Sequence, residues 1–288
     1  MEKVRAWWRA SRPLAQANIA APLLLGQGLA FAVTERFSWP TLLWLGAFGI
    51  ADQLFIVYAN DYADRDDDGD ARTPFSGGSG VLQEGLLTPN ELRAGALIAA
   101  LAMVAIGIRL SLYTPALLGL VAAALLLMQA YSFHPLRLSY RGGGEWLQGL
   151  GVGGVLPLMG FTAQAGGFEG FPWPLLIGTV GLAAAGNVAT ALPDEAGDAA
   201  CGKRTWPVRF GLKGARYGGL LLSAASLAVI AAVGHARFDA AAIGFAAVFL
   251  AAWCVPFTTR GRVLLAVFAH GLAMQSAFLG LPLLAIVG

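Results

Sequence analysis

Nine times along this chain a run of about twenty mostly apolar, almost uncharged residues recurs, and that repetition constrains the fold more than any other feature. The runs are 14–33, 39–59, 94–110, 112–131, 147–165, 174–192, 217–233, 240–257 and 263–287. Each is close to the roughly 20 residues an α-helix needs to cross the hydrocarbon core of a bilayer. A backbone in lipid finds no hydrogen-bond partner but itself, so such runs have to be helices; a transmembrane β-barrel would show short alternating strands instead. The sequence therefore predicts an all-α, polytopic membrane bundle of nine transmembrane helices. With 57% hydrophobic and only 12% charged residues, the chain carries too little charge to cover a water-soluble domain of 288 residues. No soluble domain or long linker interrupts the pattern, so residues 1–288 read as a single membrane domain. Residues 1–13 are basic and aromatic and lack the apolar core and small-residue cleavage site of a secretory signal, so the first span is expected to be retained.

The 19 Lys and Arg residues orient the bundle. With the N-terminus cytoplasmic, sixteen fall on the inner side and only Arg36, Arg109 and Arg237 on the outer side, as the positive-inside rule requires. The expected location is a bacterial inner membrane. A net charge of +2, already explained by topology, gives no reason to expect nucleic acid as a partner. Cys201 and Cys254 show no metal-ligand spacing and no plausible disulfide. His134, His235 and His270 fall at or near the ends of the runs, where packing or interfacial roles are expected.

Two loops stand out against short connections, 60–91 after the second run and 193–216 after the sixth. Four spans separate them, an even number, so both are expected to open on the same side. The order of acids followed by basic or glycine-rich sequence in each hints at a duplicated four-helix unit with a ninth helix added. The first loop begins Asn60-Asp61-Tyr62-Ala63-Asp64-Arg65-Asp66-Asp67-Asp68-Gly69-Asp70, six aspartates in eleven residues, a density that repels itself unless a cation sits among them. If the second helix continues into this loop, Asn60, Asp64 and Asp68 recur every four residues and share one face. Asp61, Asp66, Asp67 and Asp70 then face elsewhere and read as solvated or supporting. In the second loop Asp194 and Asp198 again stand four apart. Oxygen-only ligation of this kind suits Mg²⁺, which is held by a few carboxylates plus substrate phosphates. Two such sets on one face can hold two Mg²⁺ ions gripping one diphosphate, with Lys203, Arg204, Arg209 and Arg72 placed to neutralise the remaining phosphate oxygens. The competing readings are a wet acidic loop that merely blunts helix ends, and basic residues present only because the inner side collects them.

These residues resemble the UbiA superfamily of intramembrane prenyltransferases, and the resemblance runs over nearly the whole chain. Arg12-Pro13 with Pro22 and Gly26 looks like the family's opening. Asn60, Asp61, Asp64 and Asp68 match its first motif, N-D-x-x-D-x-x-x-D. Asp194 and Asp198 match its second, followed by the family-like Gly202-Lys203-Arg204-Thr205, Pro207-Val208-Arg209 and Gly211. Tyr131-Ser132, Pro135, Tyr140-Arg141-Gly142 and Gly144-Glu145 resemble the connection found in the branch that prenylates 1,4-dihydroxy-2-naphthoate in menaquinone synthesis. The resemblance implies a bundle around a central cavity open sideways to lipid. It also implies two Mg²⁺ ions held by Asn60, Asp64, Asp68, Asp194 and Asp198, an isoprenyl diphosphate whose tail lies in the cavity, and an aromatic or quinoid acceptor attacking an allylic cation shielded from water.

Some features depart from the family pattern. Tyr131 is followed four residues later by Pro135, where some members carry Lys; Arg137 is a candidate for that basic role. The run Thr73-Pro74-Phe75-Ser76-Gly77-Gly78-Ser79-Gly80 lacks the Arg-Pro of hydroxybenzoate-directed members and reads either as a phosphate-binding backbone or as a lid. Arg137, Arg141 and Glu145 are candidates at the acceptor side. Asp52, Asn18, Gln27, Gln53 and Asn187 are intramembrane polar groups expected to face the bundle interior, with Asn18, Tyr131 and Asn187 as substrate-side candidates. A transporter would place its charged site near the bilayer midplane, whereas these acids cluster at helix ends. A cyclase of the same superfamily would need the same metals and no acceptor.

Overall fold

In the computed structural model every element among the described residues is helical; the structure describes residues 2–66, 78–233 and 240–287. Asp67, Asp68, Asp70, Arg72, residues 73–77 of the glycine-rich run, His235 and Arg237 lie outside them.

Helix α1 (Glu2–Ala10) ends where Arg12 adopts a left-handed backbone, φ 44°, before a 3₁₀ turn, Pro13–Gln16, leads into α2 (Ala17–Thr34). Helix α3 (Trp39–Ala63) starts at Ser38, whose Oγ accepts from the Thr41 amide at 3.3 Å. Helix α4 (Pro89–Ser111) starts at a reciprocal capping box in which the Glu91 amide donates to Thr88 and the Thr88 amide to Glu91. Then come α5 (Ala116–Ser132), the short α6 (Leu138–Arg141), α7 (Gly144–Leu150) and α8 (Leu156–Ala165), with a π turn, Gly151–Val155, joining the last two. The rest of the bundle is α9 (Leu175–Ala191), α10 (Glu195–Ala200), α11 (Trp206–Val233), α12 (Ala240–Leu250) and α13 (Arg260–Val287).

Each apolar run lies largely within helix, and six helical stretches are long and apolar enough to cross a membrane: Glu2–Thr34, Trp39–Ala63, Pro89–Ser111, Leu175–Ala200, Trp206–Val233 and Arg260–Gly280. The other three expected spans are shorter for local reasons. Run 112–131 opens with a turn before α5, run 147–165 is divided by the π turn, and run 240–257 ends in a 3₁₀ segment, Ala251–Cys254. Leu43, Ile98, Leu101, Leu126, Ile177, Leu221 and Val248 stay exposed, the outer surface expected of a chain solvated by lipid.

Helix α2 is the common wall. It packs on α8 and α13, while α3 pairs with α4, and α9 with α11 and α7. The α2–α8 contact is a backbone-to-backbone approach: a Cβ at Gly26 would lie 2.0 Å from Pro157 O, and one at Gly160 would lie 2.2 Å from Leu23 O. Only glycine permits it, as in other membrane helix pairs joined through small residues. One core gathers Leu25, Phe161, Leu182, Ile230, Trp253 and Phe278; another gathers Leu23, Leu45, Phe48, Met103 and Met159. Gln27, Asp52 and Gln53 face inward and are buried. His270 corrects the expectation of a helix-end histidine: it is buried within α13, its Nε2 3.1 Å from Leu182 O, because α9 and α13 pack there.

Candidate active site

The site is built where α3 runs out. Its last backbone bond is Asp64 N–H to Asn60 O at 2.9 Å, and Asp64 then leaves helical geometry. The expected continuous helical face through Asn60, Asp64 and Asp68 therefore stops at Asp64, with Asp68 outside the described residues.

Of the two readings of Asp61, solvated or supporting, burial removes the first: it is ion-paired with Arg12 and accepts from the Ser79 amide at 3.2 Å and from the Ser79 hydroxyl. The left-handed backbone at Arg12 carries its guanidinium from the α1–α2 turn to the end of α3, and Gly78 and Gly80, with φ 75° and 76°, bring Ser79 to the same carboxylate. Asp61 thus ties the N-terminal segment and the end of the first loop to α3.

Asp64 faces a different environment. Its Oδ1 accepts from the Tyr140 hydroxyl at 3.0 Å and lies 3.9 Å from the Arg137 guanidinium; its Oδ2 accepts from Lys203 Nζ at 3.1 Å. The same ammonium is 3.8 Å from Asp198 Oδ1, and Asp198 Oδ2 accepts from Thr205 Oγ1 at 3.2 Å. Burial acts to lower the Lys203 pKa, but Asp64 and Asp198 more than offset it and hold the ammonium above its ordinary range. Local sequence explains the placement: after α10 the chain turns through Gly202, φ 75°, and the Lys203 amide donates to Asp198 O at 2.8 Å, folding Lys203 back over the acid.

Short helix α6 supplies the cover. Arg137 stacks 3.5 Å from the Tyr140 ring centroid, Lys203 lies 5.0 Å from it, and the Arg204 amide donates to Tyr140 O at 3.1 Å, fastening the second loop to α6. Asn60 Nδ2 donates to Ser132 Oγ at 3.3 Å at the end of α5. Next to it, Tyr131 hydrogen-bonds with Asn187 of α9, and Asn187 Nδ2 donates in turn to Gln148 of α7. Glu145 is buried and accepts from the Trp206 amide at 2.8 Å, a carboxylate at the N-terminus of α11. Asp194, half-buried, closes the 3₁₀ segment Leu192–Asp194 just before α10. Arg141, Arg204 and Arg209 are exposed, and Asn18 instead meets Gln275 of α13 at 3.5 Å.

The structure thus joins Asp64, Asp198, Lys203 and Arg137; Tyr131 and Glu145 lie near enough to interact with these charges, and Asn187 hydrogen-bonds Tyr131. Sequence reasoning missed Tyr140, Thr205 and Gln148 as members of the cluster. Tyr140 had a legible signal, sitting beside Arg137 and Arg141 in a loop already marked; Gln148 had none. Among the described residues no three acids, histidines or cysteines converge into a ready metal cage. What the geometry does present is one position shared by a carboxylate from each loop and filled by an ammonium, a hard-oxygen environment that fits a cation such as Mg²⁺. On the outer flank, an open apolar groove of about 690 Å³ runs between α5, the π turn and α9, lined by Leu127, Ala130, Gly154 and Val180. Ala130 is the neighbour of Tyr131.

A family model described as the UbiA prenyltransferase family matches residues 19–285. Among solved structures, a UbiA homologue from Archaeoglobus fulgidus bound to DMAPP and Mg²⁺ superposes with a TM-score of 0.71 at 17% identity, covering 98% of this chain and 99% of that one. A UbiA homologue from Aeropyrum pernix K1 gives 0.68 at 18% identity, covering 94% and 95%. A structure of digeranylgeranylglyceryl phosphate synthase gives 0.68 at 16% identity, covering 100% of both chains. No curated protein is significantly similar in sequence.

Proposed function

Since this chain belongs to the UbiA prenyltransferase family, we propose that it transfers an isoprenyl group from a polyprenyl diphosphate to an aromatic or quinoid ring, with a 1,4-dihydroxy-2-naphthoate-like acceptor favoured. The observation that carries this reading is the single cation position shared by Asp64 and Asp198. Its support from relatives is the DMAPP and Mg²⁺ bound by the Archaeoglobus fulgidus homologue.

In this reading Asp64 and Asp198, with Asn60, Asp68 and Asp194, hold two Mg²⁺ ions. What Mg²⁺ supplies when bound is positive charge against the charge that develops on departing diphosphate. Lys203, Arg204, Arg209 and Arg72 are the side chains available for the remaining diphosphate oxygens. The apolar helix faces exclude water from the allylic cation and receive the isoprenyl tail. Tyr131, held by Asn187, presents its ring and hydroxyl beside the acids. A carboxylated acceptor is oriented by Arg137, with its nucleophilic carbon toward the cation. The same reading includes nine membrane spans around a lipid-open central cavity, and a bacterial inner membrane with both acid-bearing loops on the cytoplasmic side.

The decisive experiment is to incubate purified protein with Mg²⁺, geranylgeranyl or longer diphosphate and 1,4-dihydroxy-2-naphthoate, and to analyse the lipid product by mass spectrometry. A prenylated ring is expected. Release of diphosphate with only cyclised or hydrolysed hydrocarbon, whatever ring is offered, would replace transfer by cyclisation. Sidedness is tested separately: single cysteines at Asp66 and Ala199, in a background lacking Cys201 and Cys254, should label from the same side of the membrane.

A further inference from the structure

Lys203 joins the two acid-bearing loops. Its ammonium lies 3.1 Å from Asp64 at the end of α3 and 3.8 Å from Asp198 on α10, and the three side chains are only 16%, 7% and 13% exposed. Both oxygens of Asp64 are engaged, Oδ1 by Tyr140 and Oδ2 by Lys203, and Thr205 holds the second oxygen of Asp198. A divalent cation cannot take both acids while the ammonium stays between them. Without that ammonium, two nearly buried carboxylates would repel each other across a space that little water screens.

We propose that Lys203 is an internal counter-cation that keeps Asp64 and Asp198 paired and leaves them when a divalent ion binds. This exchange rests on the metal-dependent reading above. The residue type fits the task. Lysine carries a point charge on a flexible four-carbon stem and can withdraw without breaking a bidentate grip, whereas an arginine in that place would hold by a planar fork. Arg137 illustrates the alternative: it is stacked 3.5 Å from the Tyr140 ring centroid and reaches Asp64 only at 3.9 Å. The position fits as well, because Lys203 follows the left-handed Gly202, and rotation about its own side chain frees the ammonium while its amide keeps its bond to Asp198 O. Before the exchange one positive charge offsets two carboxylates and after it two positive charges do, so a cation joins the two loops before and after the divalent ion arrives.

The test uses Mn²⁺ alone as the probe, on the full chain in detergent or nanodiscs. Lys203→Met, which keeps length and removes charge, should bind Mn²⁺ about tenfold more tightly than wild type by electron paramagnetic resonance of the free ion. Its thermal midpoint should fall in chelator and recover in saturating Mn²⁺. An Mn²⁺ affinity unchanged or weakened by the substitution overturns the exchange. A second readout needs no variant: the chain has only Lys3, Lys203 and Lys213 as lysines, so amine labelling can be mapped on each by mass spectrometry. Labelling of Lys203 should rise several-fold with Mn²⁺ while that of Lys3 and Lys213 stays level; no rise overturns the proposal. Absence of Mn²⁺ binding in both wild type and Lys203→Met would overturn the metal-dependent reading itself, which separates the two failures.

Discussion

The two ends of α3 solve the same problem, polar groups buried or half-buried in an apolar bundle, in opposite ways. At its N-terminal end the groups are neutral and satisfy one another. Gln164 Oε1 accepts from the Ser38 amide at 2.9 Å, and Gln164 Nε2 donates to Gln27 Oε1 at 2.9 Å and to Ser38 O at 3.1 Å. This network joins α2, α3 and α8 and leaves no charge to compensate. At the C-terminal end the groups are ionised and drawn from α3, α6, α10 and the turn after it, with one ammonium serving two carboxylates. An intramembrane polar residue invites a functional reading, but Gln27 and Gln164 are accounted for by structure alone. If the proposed function holds, the contrast teaches that charge shared between loops, rather than polarity alone, marks the chemistry. The same distinction separates neighbours in the first motif: Asp61 has a dedicated arginine and serine, while Asp64 shares its cation with another loop.

The comparison can be broken by measurement. The largest effect is expected at the charged end. Asp64→Ala or Asp194→Ala should lower turnover by at least about 10²-fold, because each removes a proposed ligand from the charge-stabilising set, while the membrane bundle still folds. Wild-type enzyme should lose turnover in excess chelator, and full activity there would remove metal from the account. Asp61→Ala should behave as a structural lesion instead, costing about 2 kcal/mol of stability in reversible unfolding by breaking a buried, charge-assisted contact. A loss of turnover as deep as that of Asp64→Ala, without loss of stability, would erase the distinction between the two aspartates.

Next comes Arg137→Ala, expected to raise the acceptor KM about tenfold by removing a charge-assisted contact, while the exposed Arg141→Ala changes it less than about twofold. Equal effects of the two would move the acceptor away from the Tyr140 side of the cluster. The smallest effect belongs to the neutral end. Gln164→Leu should cost about 1 kcal/mol in thermal unfolding and leave turnover at the wild-type level. A selective loss of turnover there would mean that polarity at both ends serves the reaction.

What the sequence by itself determined is set by solvent and by near neighbours. Apolar runs of about twenty residues can be satisfied in lipid only as helices, so the all-helical membrane bundle was legible from residue order. The family and the two acid motifs were legible for the same reason, since each depends on residues a few positions apart, whereas the capped start of α4 at Thr88 falls inside the stretch read as loop. The tertiary structure alone decided which acids meet which cations. Arg12 and Asp61 are 49 positions apart, and Lys203 and Asp64 are 139 apart. Spacing along the chain carries no information about such pairs. They depend on how closely the helices approach, which at α2 and α8 is set by Gly26 and Gly160, and on left-handed turns at Arg12 and Gly202 that aim single side chains across the bundle end. Two aspartates in one motif, alike in sequence, were assigned different partners because packing placed an arginine beside one and a shared lysine beside the other.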